Sequence, residues 1–104
     1  MTRTKELLKP LAEDGAALTR EQAAEVLTEI LSGEVPEVET AALLAVMATR
    51  GEQAPELAGF VDVMRARCVP VPFTDAEREE LVDCVGTGGG GPQTFNISCG
   101  AALV

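Results

Sequence analysis

The chain has 104 residues, a formal charge of −9, 46% hydrophobic and 3% aromatic residues, and no histidine. That length holds one small domain, and the apolar share marks a globular rather than a disordered chain. The acidic balance argues against nucleic acid and anionic membrane as partners, because neither attracts a negative surface.

No apolar run approaches the length of a membrane span, and Met1-Thr2-Arg3-Thr4-Lys5 leads into a charged helix rather than the apolar core of a signal peptide. A cytoplasmic location is therefore expected. Cys68, Cys84 and Cys99 are odd in number and widely spaced, with no Cys-x-x-Cys. That pattern excludes a recognisable zinc site and predicts reduced thiols that serve as packing residues. Without histidine, any acid or base must be a carboxylate, a thiol or the substrate itself.

Thr4 to Glu13 reads as a first helix with Leu7, Leu8, Leu11 and Ala12 on one side, broken at Asp14-Gly15. A second helix starts at Thr19, where Thr19-x-x-Gln22 has capping-box spacing and Leu18 takes the staple position. Its apolar stripe is Ala23, Val26, Leu27, Ile30 and Leu31, and Gly33 supplies the stop. Pro36 sits at the first turn of a third helix, with Glu37 and Glu39 favoured by the helix dipole. From Ala41 to Ala48 this helix is apolar nearly all round, so it should be the most buried of the set, either at the centre of the bundle or facing a partner subunit. Gly51 ends it. Pro55-Glu56 opens a fourth helix in which Leu57, Phe60, Val61 and Met64 share a face read as core. Arg65 and Arg67 lie at its C-terminal end, read as a solvated terminus suited to the last carbonyls.

Val69-Pro70-Val71-Pro72-Phe73 cannot be helical, since each proline drives its predecessor to extended geometry. Residues 70–80 are read as a hinge between a helical domain over 1–69 and the start of a second domain over 81–104. Thr74-x-x-Glu77 again has capping-box spacing and predicts a short helical turn. A strand is predicted at Leu81 to Val85, and a helix is predicted to begin at Ser98. A lone strand and an unfinished helix are poor ends for a domain, so the chain reads as part of a longer protein. The fold class expected is mainly α. A small N-terminal bundle of about four helices precedes the first strand and Gly-rich loop of an α/β domain.

The chemistry concentrates between Asp83 and Ser98, DCVGTGGGGPQTFNIS. Dense glycine lets a ligand approach backbone amides, and the strand, Gly-rich turn and helix start together form a phosphate cradle. Thr94, Asn96 and Ser98 follow as short polar groups able to bond an anion or a sugar hydroxyl. Gly86-x-Gly88-x-x-Gly91 also fits a dinucleotide fingerprint, but Pro92 stands where the helix should be running and no acidic ribose-binding residue follows. A Walker loop is excluded because the only lysines are Lys5 and Lys9. A flexible linker fits less well with a polar set bracketed by Val85, Phe95 and Ile97. Asn96-Ile97-Ser98 matches a glycosylation sequon, which carries no weight without a secretory context.

Val85-Gly86-Thr87-Gly88-Gly89 and Thr94-Phe95-Asn96-Ile97-Ser98 resemble the signature of the anthranilate phosphoribosyltransferase family, related to the pyrimidine nucleoside phosphorylases. The phosphorylases resemble the chain less, because Asp83-Cys84-Val85 stands where they carry a lysine-containing segment. The resemblance covers nearly the whole chain but only the opening third or so of such an enzyme. It implies transfer of phosphoribosyl from phosphoribosyl pyrophosphate to anthranilate in tryptophan biosynthesis, with Mg²⁺ assistance. It implies a substrate-binding set of Gly86, Gly89, Gly90, Thr94, Asn96, Ile97, Ser98 and Cys99, with Ser98 also a Mg²⁺ ligand, and a homodimer through the helical domain. No catalytic residue is assigned. Gly90 replaces the family's usual Asp and Cys99 its usual Thr. The downstream Lys-His-Gly-Asn segment, the acidic Mg²⁺ pair and the arginine that meets the acceptor carboxylate would lie past Val104, so the chain alone is expected to be inactive. Two other readings stay open: a non-catalytic helical dimerisation module and a pyrimidine nucleoside phosphorylase-like enzyme.

Overall fold

Thr2 starts the first helix. Its hydroxyl accepts the Lys5 N–H at 3.2 Å, and α1 then runs Arg3–Asp14. Such a cap is worth about 1 kcal/mol. Pro10 sits inside α1 and removes one backbone donor, and Gly15 ends the helix in the left-handed region at φ 64°. The computed structural model describes residues 1–86 and 96–104. Among them are six α-helices and no strand, divided into two compact units, Met1–Val69 and Pro70–Val104.

In the first unit, α2 (Arg20–Leu31) begins at the predicted capping box. Thr19 accepts the Gln22 N–H at 3.2 Å and Gln22 accepts the Thr19 N–H at 2.9 Å. Leu18, one residue earlier, is buried as a staple should be. Gly33, at φ 75°, turns the chain out of α2 toward α3 (Glu37–Arg50). Gly51 closes α3, its N–H donating to the Met47 carbonyl, and α4 spans Ala54–Arg67. Helix α2 packs on α4, and α1 packs on both α3 and α2. The core they enclose is Leu11, Leu18, Ala23, Val26, Leu43 and Met47, flanked by Leu7, Leu8, Ile30, Val46 and Phe60. Burying a side chain of the size of Leu43 contributes about 1.5–3 kcal/mol.

Three expectations are corrected by the packing. Helix α3 is not the most buried helix. Only Leu43 and Met47 are fully enclosed, while Val38 is 80% and Leu44 54% exposed. A helix apolar all round can turn only one side to α1, so the face of Val38, Ala41, Leu44, Ala45 and Ala48 is left open. In α4 the stripe of Leu57, Val61 and Met64 is likewise exposed, and the inward face is Glu56, Gly59 and Val63. Gly59 decides this. A Cβ built there would overlap the Arg20 carbonyl oxygen and lie 2.8 Å from the Ala23 Cβ, so α4 seats its glycine, not its leucines, against α2. The third correction is that Cys68, Cys84 and Cys99 are exposed free thiols rather than core residues.

Val69 to Thr74 has no regular secondary structure. In the second unit, α5 (Asp75–Glu79) opens at the predicted capping box, Thr74 accepting the Glu77 N–H at 3.3 Å and Glu77 accepting the Thr74 N–H at 2.8 Å. Leu81–Gly86 forms no strand. A strand needs an edge to pair with, and no other strand exists among the described residues. The last helix, α6, spans Ile97–Leu103.

Candidate functional site

Of the eight residues implicated by the motif, Gly86, Asn96, Ile97, Ser98 and Cys99 are described. Gly89, Gly90 and Thr94 lie outside the described residues. Gly86 ends the irregular segment that precedes the glycine run, and the other four form the N-cap and first turn of α6.

Gly86 and Ser98 come together. A Cβ at Gly86 would sit 3.6 Å from the Ser98 Oγ, the one contact within 4 Å among the described residues. Positive φ among the described glycines occurs at Gly15, Gly33 and Gly51 and not at Gly86, so backbone strain does not demand glycine there. What glycine leaves is room beside a hydroxyl, which a methyl group would occupy. Ser98 is half-buried, while Asn96, Ile97 and Cys99 are exposed.

Asn96 has a local task. Its Oδ1 accepts the Cys99 N–H at 2.9 Å and so caps α6, while its own carbonyl accepts the Gly100 N–H at 3.3 Å. Asp83 is similarly occupied, Oδ1 accepting the Val85 N–H at 2.9 Å in a turn that aims the chain toward Gly86. Cys84, not among the predicted site residues, donates its thiol to the Ser98 carbonyl at 3.8 Å. That weak bond ties the segment before the glycine run to α6. No spacing in the sequence announces it, since the two residues meet only through the fold of the unit.

Among the described residues no three His, Cys, Asp or Glu side chains gather as a metal site. Among the described residues of the motif, the side-chain oxygen not already engaged as a helix cap is the Ser98 hydroxyl. One hydroxyl suits Mg²⁺, which keeps several waters and takes ligands from substrate phosphates, and does not suit a cation that needs a cage of protein ligands.

The first unit carries the other polar cluster. Glu56 is wholly buried. Its Oε1 accepts the Leu18 N–H at 2.9 Å and the Arg50 Nη2 at 2.5 Å, and its Oε2 accepts the Gln53 N–H at 2.7 Å. Burial pushes its carboxyl up, but the Leu18 and Gln53 amides and the Arg50 guanidinium outweigh that and hold it below the ordinary range. Glu29 does similar work at the start of α1, accepting the N–H groups of Arg3 and Thr4 and the Thr4 hydroxyl. Its carboxyl is pushed up by partial burial and pulled down further by those bonds, for a net lowering. Both acids cap helix starts and loops. They join the elements of the bundle together.

Residues 5–68 match the helical bundle domain of the glycosyl transferase family, and the chain belongs to that family. It is similar to the N-terminal portion of anthranilate phosphoribosyltransferases. Identity is 42% over 101 residues with the one from Shewanella sp. (strain MR-7), covering 93% of this chain and 29% of the relative. It is 42% over 100 residues with the one from Bacillus caldotenax, covering 96% of this chain and 39% of the relative. The Geobacillus kaustophilus (strain HTA426) enzyme of the same name is 42% identical, with 96% and 28% covered. The chain thus spans less than half the length of these curated relatives. No solved structure matches it. No helix among the described residues is long and apolar enough to cross a membrane.

Proposed function

We propose that this chain is the front part of an anthranilate phosphoribosyltransferase of tryptophan biosynthesis, with Gly86 to Cys99 forming part of its phosphoribosyl pyrophosphate site. The observation that carries this is the approach of Gly86 to the Ser98 hydroxyl, two residues that the resemblance assigns to the ligand. In the reaction, the acceptor amine forms a bond to C1 of the ribose as the C1–O bond to pyrophosphate breaks. The pyrophosphate leaves with the electron pair, and the amine gives up a proton. The segment over 81–104 would begin an α/β domain in which Leu81–Val85 pairs as a strand with neighbours supplied by the rest of the longer protein.

Within that site the chain's own residues bind and orient. The Gly86 amide can approach a phosphate oxygen because no side chain stands in the way. Ser98 would hold Mg²⁺ through its hydroxyl, and the Mg²⁺, when bound, neutralises charge developing on the pyrophosphate. Its positive charge also offsets the net −9 of the chain, which would otherwise repel a polyanion. Asn96 sets the start of α6, which aims Ser98, and Cys84 steadies the Ser98 carbonyl. The residues that the resemblance assigns to the acceptor lie past Val104, so the 104-residue chain alone forms no phosphoribosylanthranilate.

The test is titration of the chain with phosphoribosyl pyrophosphate and Mg²⁺ while following backbone amide resonances. Gly86 and Ser98 should shift, and Ser98→Ala should weaken the binding roughly tenfold, the value of one lost ligand. Saturating ligand that leaves Gly86 and Ser98 unmoved removes the binding role. Product formed by the chain alone removes the inactivity.

A second role is supported by the open apolar face of α3: the helical unit would also join two copies of the chain.

A further inference from the structure

The Cys84 thiol lies 3.8 Å from the Ser98 carbonyl oxygen, and Cys99 is the next residue after Ser98. Standard bond lengths on either side of that contact keep the Cys84 and Cys99 α-carbons within about 9.5 Å of each other. A disulfide spans about 4.4–6.8 Å between α-carbons, so a small shift of a seven-residue exposed helix closes the gap. Both sulfurs are exposed and free, so a small oxidant can reach either. Cys68 belongs to the other unit, on the far side of the proline-rich connection.

We propose that Cys84 and Cys99 are a reversible dithiol–disulfide pair whose oxidation pins the Gly86 and Ser98 segments together. The oxidant is a low-molecular-weight disulfide such as glutathione disulfide. One cysteine sulfur attacks it, releasing one small thiol and leaving a mixed disulfide. The second cysteine sulfur then attacks the protein-bound sulfur and releases the other small thiol. Two protein thiols become one S–S bond, and their two electrons and two protons end on two small thiols. The consequence for ligand binding rests on the reading of Gly86 and Ser98 as phosphoribosyl pyrophosphate contacts. A cross-link beside Ser98 takes the space that glycine leaves there, so the oxidised form should bind at least tenfold more weakly.

The sequence makes the chemistry easy to read. Trypsin cuts after Arg67 and Arg78, and no Lys or Arg follows, so Cys68 falls in one peptide and both Cys84 and Cys99 fall in residues 79–104. After incubation of the reduced chain with glutathione disulfide and alkylation, the 79–104 peptide should be unalkylated and lighter by about 2 Da, the loss of two hydrogens. Dithiothreitol should reverse this. Cys84→Ser and Cys99→Ser should each give a single glutathione adduct instead, and Cys68→Ser should behave as the parent. Two glutathiones on the 79–104 peptide, or a cross-link through Cys68, overturns the pair. Oxidation that forms the bond yet leaves binding of phosphoribosyl pyrophosphate with Mg²⁺ unchanged overturns the coupling. If the bond forms but neither state binds ligand, the pair stands and the ligand reading alone falls.

Discussion

Glu56 shows how a single acid can organise a bundle. It receives two backbone amides and a guanidinium with no exposure to water, so its charge is needed where a neutral acid would leave Arg50 uncompensated. Among the described residues the Arg50 Nε is already buried without a partner, which raises the cost of losing the carboxylate that its Nη2 meets. Glu56→Gln should therefore destabilise the folded chain by about 2–3 kcal/mol in urea unfolding, the value of charged hydrogen bonds. The same groups set the acid limit. Unfolded, Glu56 and Glu29 take up protons near the ordinary glutamate value of about 4.3. Folded, both do so only at lower pH. Their contribution is complete above the unfolded value and is lost as pH falls through the lowered folded ones. The urea midpoint should stay level between pH 7 and about 5 and fall below about 4, less steeply in Glu56→Gln. A variant with an unchanged acid slope would remove Glu56 from this role.

At the scale of elements, the helix boundaries follow local signals closely. Thr19–Gln22 and Thr74–Glu77 both form reciprocal caps, and Gly15, Gly33 and Gly51 each stand at a helix end with positive φ. Faces were less legible. Leu57, Phe60, Val61 and Met64 form a good apolar stripe, yet α4 rotates so that Gly59 meets α2 and only Phe60 of the four packs against the core. Periodicity reports which residues share a side, while close approach of two backbones depends on where both partners are small. Gly59→Ala tests this. Helix propensity alone favours alanine by about 1 kcal/mol. The clash with Arg20 and Ala23 should reverse that, leaving a net loss of about 1–3 kcal/mol in thermal or urea unfolding. A net gain in stability would mean that α4 sits further from α2 than the geometry places it.

At the scale of the whole molecule, the apolar face of α3 is open to solvent. Val38 and Leu44 are more than half exposed, and a charge there costs little to a monomer but much to an interface. If the helical unit joins two copies, Leu44→Glu should lower the mass seen by light scattering toward that of one chain while leaving the helical circular dichroism unchanged. A parent chain that is already monomeric at high concentration would assign that face elsewhere.

The amino-acid sequence determined the helices, their caps, the break after α4 and the glycine-rich motif that points to phosphoribosyl transfer, because each depends on residues only a few positions apart. The helical bundle that it implied is present, and residues 5–68 place the chain in the glycosyl transferase family. The sequence did not reveal the burial of Glu56, read only as part of the opening of the fourth helix, nor the thiol of Cys84 against Ser98. Those contacts join residues 38 and 14 positions apart. Nor did it foresee that Leu81–Gly86 would stay irregular, since a strand exists only where another strand offers its hydrogen bonds. Tertiary structure decided which face of α3 and α4 turns inward, because burial is settled by the neighbour against which a helix fits and not by the helix alone.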